Sequence, residues 1–461
     1  MSSFTAVPVL DFSLSRNENT KPTFLDELRR TLLEVGFLYI KNTGIDEDLV
    51  GEVIRLGRAF FDLPESEKMR LEMKNSPHFL GYSRLGNEIT KNATDWREQI
   101  DLATELSVPS PSEPRYRMLR GPNHWPKEEL LPGFRKTFVE YMNQMAELST
   151  NFTSLVAEAI GLPADSFEKY YDASDESASG TKRQDKLKIV KYPDSGELGE
   201  QATGRQGGEG IGLSTFNSYL LQATDHKGLQ VRNYRGDWID CIPIKGTFVV
   251  AMGRGLEAMT DGVCISTAHR VISPPAGSGP RFSIPFFQGV SYDATFESME
   301  VPEEVKALKQ EIVRKEGGWK DEAEMTFKKG GRFKHLGEAT LMNRVKSHPD
   351  VGEKYYPDLL RIVREQERAE KEQSVDKPGS GNSLGVPTTT VTTSEEKTDD
   401  APTTTQIEGR RRAPTIVVEL TPRNQPGYGE DPGPDGSMER KEAYEMRKAD
   451  AAPDVVRVIE R

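Results

Sequence analysis

Cysteine is scarce in this chain. Among 461 residues there are two, Cys241 and Cys264, too few for a disulfide framework, so a reducing, cytoplasmic setting is expected. A surplus of positive charge is also missing. Sixty-one Lys and Arg stand against 73 Asp and Glu, a formal net charge of −12, which argues against a surface built to neutralise phosphates and excludes nucleic acid as an expected partner. No apolar run approaches the roughly 18 residues that a membrane span needs, and MSSFTAVPVLDFS has neither a basic n-region nor an apolar h-region, so neither membrane nor leader is expected. Aromatic rings run out near the C-terminus, where only Tyr428 and Tyr444 lie beyond residue 370. Such a stretch cannot bury enough apolar surface to offset its chain entropy, and residues 373–461 read as a disordered, Thr/Pro/Ser-rich acidic tail whose partner is unassigned. Within it, Arg410-Arg411-Arg412 reads as solvated linker rather than as a nuclear address.

Elsewhere the periodicities are clear. Pro8 to Phe12 is a short apolar edge. Leu25, Leu28, Leu32 and Val35 recur at helical spacing after Pro22 and stop at Gly36; Phe37 to Ile40 then reads as a strand, and Leu49, Val53, Leu56 and Phe60 mark a second helix. A long helix runs from Phe134 to Ile160, its Met and aromatic stripe following the 3.6-residue period of core packing. From Leu187 the texture becomes short strands, LKIVKY, GLQVRNY, WIDCIPI, TFVVAM and RFSIPFFQ, joined by Gly and Pro turns. That pattern suggests a sandwich or jelly roll carrying helices. Charged helical segments follow Val301.

The chemistry concentrates late in the strand region. His269, taken alone, has a bland reading as a hydrogen-bonded core imidazole. Arg281 is harder to dismiss, because a permanently charged guanidinium on an apolar strand wants an anionic partner if it points inward. Arg281 and Ser283 alternate to one face, so a fork and a hydroxyl could grip one carboxylate.

With the upstream histidine, these residues resemble the distal half of the iron and 2-oxoglutarate-dependent dioxygenases, in their isopenicillin N synthase-like branch and in wording closest to fungal members. The resemblance extends through PVLDF, GFLYIKNTGI, FFDLPESEK, GYSRLG, DWREQIDL, KIVKYP, LLQATDHKGLQV, GDWIDCIPIKGTFVVAMG and STAHRVISPPAGSGPRFSIPFFQG, over roughly the first 300 residues. It implies a mainly β fold with flanking helices, a double-stranded β-helix or jelly roll. Residues 1–130 would form its N-terminal helical and strand region, 131–300 the core with a long support helix, and 301–372 a helical extension. It implies an oxidoreductase that uses Fe(II) and the cosubstrate 2-oxoglutarate to hydroxylate or desaturate a small organic molecule. Carried over by position, His269 matches the distal metal ligand, Arg281 and Ser283 match the clamp on the far carboxylate of 2-oxoglutarate, and Tyr192 matches a position facing cosubstrate or substrate. The resemblance further implies that substrate meets loops and helical segments near Tyr82 to Glu98 and beyond Gln288.

One part departs from the pattern. The family's proximal His-x-Asp would fall at Ile211-Gly212-Leu213, where no side chain can bind iron. Glu209 lies near, and Asp225 with His226 is the nearest acid and imidazole pair, but His226 reads better as a solvent-facing turn residue. Two explanations follow: a mis-spliced gene model of an active enzyme, or a catalytically inactive dioxygenase-fold protein that binds or scaffolds.

Overall fold

The computed structural model describes residues 3–90, 93–171, 183–198, 216–295, 297–315, 333–375, 416–417 and 459–460. Ile211, Gly212, Leu213, Glu209 and nearly all of the C-terminal tail lie outside these residues.

The described strands, in chain order, are β1 Val9–Asp11, β2 Phe37–Lys41, β3 Gly81–Ser83, β4 Glu88–Thr90, β5 Ala93–Asp95, β6 Glu98–Ala103, β7 Lys186–Tyr192, β8 Asn217–Gln222, β9 Leu229–Arg232, β10 Trp238–Asp240, β11 Thr247–Met252, β12 His269–Val271 and β13 Arg281–Phe287. Eight of them form one sheet in the order β1-β2-β11-β8-β13-β7-β6-β3; β10-β9-β12 form a second, and β4 and β5 pair as a hairpin. β1 and β2 run parallel, and the remaining pairs of the large sheet are antiparallel.

Side chains alternate across a pleated sheet, so its two faces can be read from the register. One face carries Leu38, Val250, Tyr219, Phe286, Leu187 and Leu102, all buried against the helix Phe134–Ala159 in a single core. That helix buries the stripe through Phe138, Met142, Met145, Phe152 and Val156, at about 2 kcal/mol or more for each large side chain removed from water. The opposite face carries Phe37, Tyr39, Val249 and Ala251. These pack with Leu229, Val231 and Val271 of the small sheet, which lies over the large one to enclose an interior. This is the jelly roll expected from the strand spacing.

Local chemistry sets the connections. Asp46 caps the helix Glu47–Ala59 by accepting from the amides of Asp48 and Leu49. The helix Lys21–Glu34 ends at Gly36, whose φ of 66° closes the turn onto the Thr31 carbonyl. A β-carbon there would stand 2.2 Å from the Ile265 carbonyl oxygen, so the chain entering β2 requires glycine.

Two expectations need correction. The segment from Tyr82 to Glu98 is not helical: it holds parts of β3 and β6 and the β4–β5 hairpin. His226 is half-buried rather than solvent-facing, with Nε2 2.9 Å from the Ser278 carbonyl oxygen it hydrogen-bonds and Nδ1 enclosed without a partner.

Beyond Val301 lie helices Glu303–Lys315, Leu336–Ser347, Pro349–Tyr355 and Pro357–Val375. The described residues up to Arg361 form one compact unit. A second begins at Ile362 and includes the short pair of Ile416–Val417 with Ile459–Glu460. No helix among the described residues is long and apolar enough to cross a membrane.

Candidate functional site

β13 and β7 place Arg281 directly opposite Tyr192, on the interior face. Arg281 is 1% exposed, and its guanidinium lies 5.2 Å from the Tyr192 ring centroid. Its Nη2 donates to Gln222 Oε1 at 3.4 Å, while Nη1 is buried with no hydrogen-bond partner. No carboxylate among the described residues pairs with it. Burial lowers the Arg281 pKa, opposed by Tyr192 and by the nearby Cys241. The Cys241 thiol is itself pushed up to about 12, mainly by burial. Gly228 presses on the same side chain. A β-carbon at that residue would come within 2.5 Å of the Ile272 carbonyl oxygen and 3.4 Å of Arg281 Cδ, at a φ of 155° that favours glycine. Ser283, two residues along β13, is buried on the same face as Arg281, whereas Phe286 turns to the helix-packed face.

His269 begins β12 in the opposing sheet. Its ring lies 5.3 Å from that of Phe37, and Nδ1 makes a long 3.5 Å contact with the Thr267 carbonyl oxygen. Burial pushes its pKa down to about 4, the Thr267 carbonyl opposing and the charge of Arg97 adding to the fall. The imidazole is therefore neutral near pH 7. With Nδ1 turned to a carbonyl, the lone pair falls on Nε2, the form that binds metals. The residue as a whole is half-buried. Arg97 lies within electrostatic reach of both His269 and Tyr192, which connects it to the two ends of the proposed site.

Arg97 leads into a cluster that the sequence reading did not anticipate. It pairs with Glu88 at 2.6 Å and Asp95 at 3.0 Å. Lys188 lies 3.3 Å from Glu88 and 3.5 Å from Asp101, and Arg344, on the helix Leu336–Ser347, is 3.3 Å from Asp101. Burial pushes the Glu88 carboxyl up, but Arg97, Lys188 and His348 outweigh it and hold the group well below the usual carboxylate range. A signal for part of this was present: Lys186 and Lys188 flank Leu187 at a spacing of two, along a strand that is covered on both faces.

Among the described residues no group of three or more His, Cys, Asp and Glu side chains is placed to hold a metal ion. Asp225 is exposed, and His226 is engaged at Ser278.

Comparison with known proteins gives this interior its context. The sequence pattern described as non-haem dioxygenase in morphine synthesis N-terminal matches residues 7–128, and that of the 2OG-Fe(II) oxygenase superfamily matches 209–290. The 2-oxoglutarate-dependent dioxygenase frbJ of Dothideomycetidae sp. is 57% identical over 79% of this chain and 96% of that protein. The chain belongs to the 2-oxoglutarate-dependent dioxygenases. A second member of these dioxygenases, from Gibberella zeae, is 37% identical over 80% of this chain and 96% of its own length. Among solved structures, a full-length Neurospora crassa protein in complex with alpha-KG and thymine superposes with a TM-score of 0.54 at 25% identity, covering 68% of this chain and 99% of that one. As a dioxygenase by family, the chain comes from enzymes that depend on Fe(II) and 2-oxoglutarate.

Proposed function

We propose that Arg281 and Ser283 hold the far carboxylate of 2-oxoglutarate, with Tyr192 beside it, and that His269 faces the other end of the cosubstrate as a metal ligand. The observation that carries this reading is the Arg281 guanidinium: permanently charged, enclosed, without a carboxylate, and with Nη1 unsatisfied. A buried charge left in that state is costly, and a bound dicarboxylate supplies both the opposite charge and the missing acceptor. The Gly228 backbone and Gln222 keep the fork in place. The substrate is then a small organic molecule lying in the same interior. The Neurospora crassa protein, solved with alpha-KG and thymine, gives this part of the reading its support.

The donor set for iron does not match. His269 offers one imidazole, but the positions implied for the other two ligands hold Ile211 and Leu213, whose side chains are hydrocarbon. No oxidative step follows from such a donor set. Those two residues favour a second reading, in which the chain keeps the family's 2-oxoglutarate site as a binding protein without turnover.

Anoxic titration of the purified chain with Mn(II), then with 2-oxoglutarate, followed by an assay for succinate under air with Fe(II), separates the readings. Tight metal binding with succinate release removes the binding-only reading. 2-Oxoglutarate binding without either result removes turnover for this chain. No 2-oxoglutarate binding at all overturns the assignment of Arg281.

A further inference from the structure

Alternation along β7 puts Lys186, Lys188, Val190 and Tyr192 on one face, and the register adds Asp101 and Gln99 of β6 to it. Tyr192 marks the Arg281 end of this face. Lys186 lies six residues away, roughly 20 Å along the strand, with Lys188 and its partners between.

The charges at the Lys186 end do not balance. Glu88, Asp95 and Asp101 are shared among Arg97, Lys188 and Arg344. Lys186 is a fourth cation with no carboxylate left to it among the described residues, and its Nζ is buried with no hydrogen-bond partner. The Tyr292 ring flanks it with its centroid 6.0 Å from Nζ, and the Tyr292 hydroxyl is occupied in donating to Gln184 Oε1 at 3.0 Å. The side chains of Arg97, Lys188 and Arg344 are 20%, 14% and 15% exposed, although each sits within the enclosed cluster. An enclosed ammonium without a partner, on the strand face that also carries Tyr192, is arranged to receive an anion.

We propose that Lys186 is an anion subsite of the substrate pocket, holding a carboxylate of the substrate at the end of the interior opposite Arg281. This deepens the reading that Arg281 holds 2-oxoglutarate, on which it rests, and it names the substrate class as a small carboxylic acid, amino acids included. Burial, together with the charges of Arg344 and Lys188, depresses the Lys186 ammonium well below its usual range, with Asp101 opposing. An arriving carboxylate acts in the opposite direction and favours the ammonium.

The test uses the full chain with and without saturating 2-oxoglutarate. Calorimetry is run with acids and their decarboxylated amines: L-arginine against agmatine, L-lysine against cadaverine, L-leucine against isoamylamine and L-phenylalanine against phenethylamine. At least one acid is expected to bind about 10- to 100-fold more tightly than its amine. Lys186→Met is expected to abolish that preference, to leave the 2-oxoglutarate titration unchanged, and to raise the melting temperature of the free protein. Lys186→Gln provides the same reading if the methionine variant does not fold. Equal binding of acid and amine, no binding by any acid, or a preference that survives both substitutions overturns the subsite while leaving Arg281 untouched. Absence of 2-oxoglutarate binding in the unmodified chain overturns the earlier reading instead.

Discussion

Arg281 and Arg97 both feel the nearby Tyr192, yet they keep different company. Arg97 has two carboxylates within 3.0 Å, one of them shared with a lysine. Arg281 has a glutamine at 3.4 Å, an aromatic face and an idle Nη1. The first arrangement is self-sufficient: it joins the β4–β5 hairpin to the sheet, and through Asp101 and Lys188 to the helix Leu336–Ser347. The second is incomplete as it stands. Two arginines near one tyrosine thus separate by whether their charge is answered within the protein, and only the unanswered one offers binding energy to a ligand.

Substitution at Arg281 tests the comparison with the largest effect. Arg281→Ala is expected to weaken 2-oxoglutarate binding by about 3 to 5 kcal/mol, measured by calorimetry, because it leaves one carboxylate of the ligand without its partner. Arg281→Met, which fills the space without the charge, should raise the melting temperature of the free protein. An unchanged affinity in the alanine variant, or a less stable methionine variant, would mean that Arg281 is compensated in a way the comparison denies.

At Glu88 the stability effect has the opposite sign. Glu88→Gln removes the carboxylate between Arg97 and Lys188, both less than a quarter exposed, and is expected to cost about 3 kcal/mol in denaturant unfolding. The pH dependence follows from the depressed carboxyl. In the unfolded chain Glu88 titrates near 4.5 and in the fold well below, so its contribution is complete above about 4.5 and disappears as pH falls through the folded value. The glutamine variant should therefore lose less stability than the parent between neutral pH and pH 3. Equal losses would show that other carboxylates carry the acid transition.

What the sequence made legible was local. Arg281 and Ser283 two residues apart on an apolar strand, and a 3.6-residue stripe from Phe134 onward, are patterns contained within a single element. The charged cluster was not legible, because its residues come from three distant stretches of the chain, Glu88 to Asp101, Lys188 and Arg344, and only pairing of β6 with β7 under a C-terminal helix brings them together. The helical expectation for Tyr82 to Glu98 failed for a related reason: three-residue strands are too short to display a period of two. His226 was misjudged because the Ser278 carbonyl that engages it lies 52 residues away in the chain. The Ile211-Gly212-Leu213 departure is visible in the sequence alone.

The smallest expected effect concerns how His269 is held. Its strand is anchored two residues upstream, where the buried Thr267 hydroxyl donates to the Val35 carbonyl oxygen at 2.6 Å, just before the turn at Gly36 that starts β2. Thr267→Val keeps the shape, removes the donor and leaves that carbonyl unsatisfied, at a cost of about 1 to 2 kcal/mol. Because β12 belongs to the small sheet and Arg281 to the large one, the substitution should lower the unfolding midpoint without changing 2-oxoglutarate affinity. It should also alter the titration of His269, followed by the pH dependence of its ring resonances in NMR. A parallel loss of 2-oxoglutarate binding would show that the two sheets do not hold their groups independently, and that the uncompensated arginine depends on the histidine strand for its position.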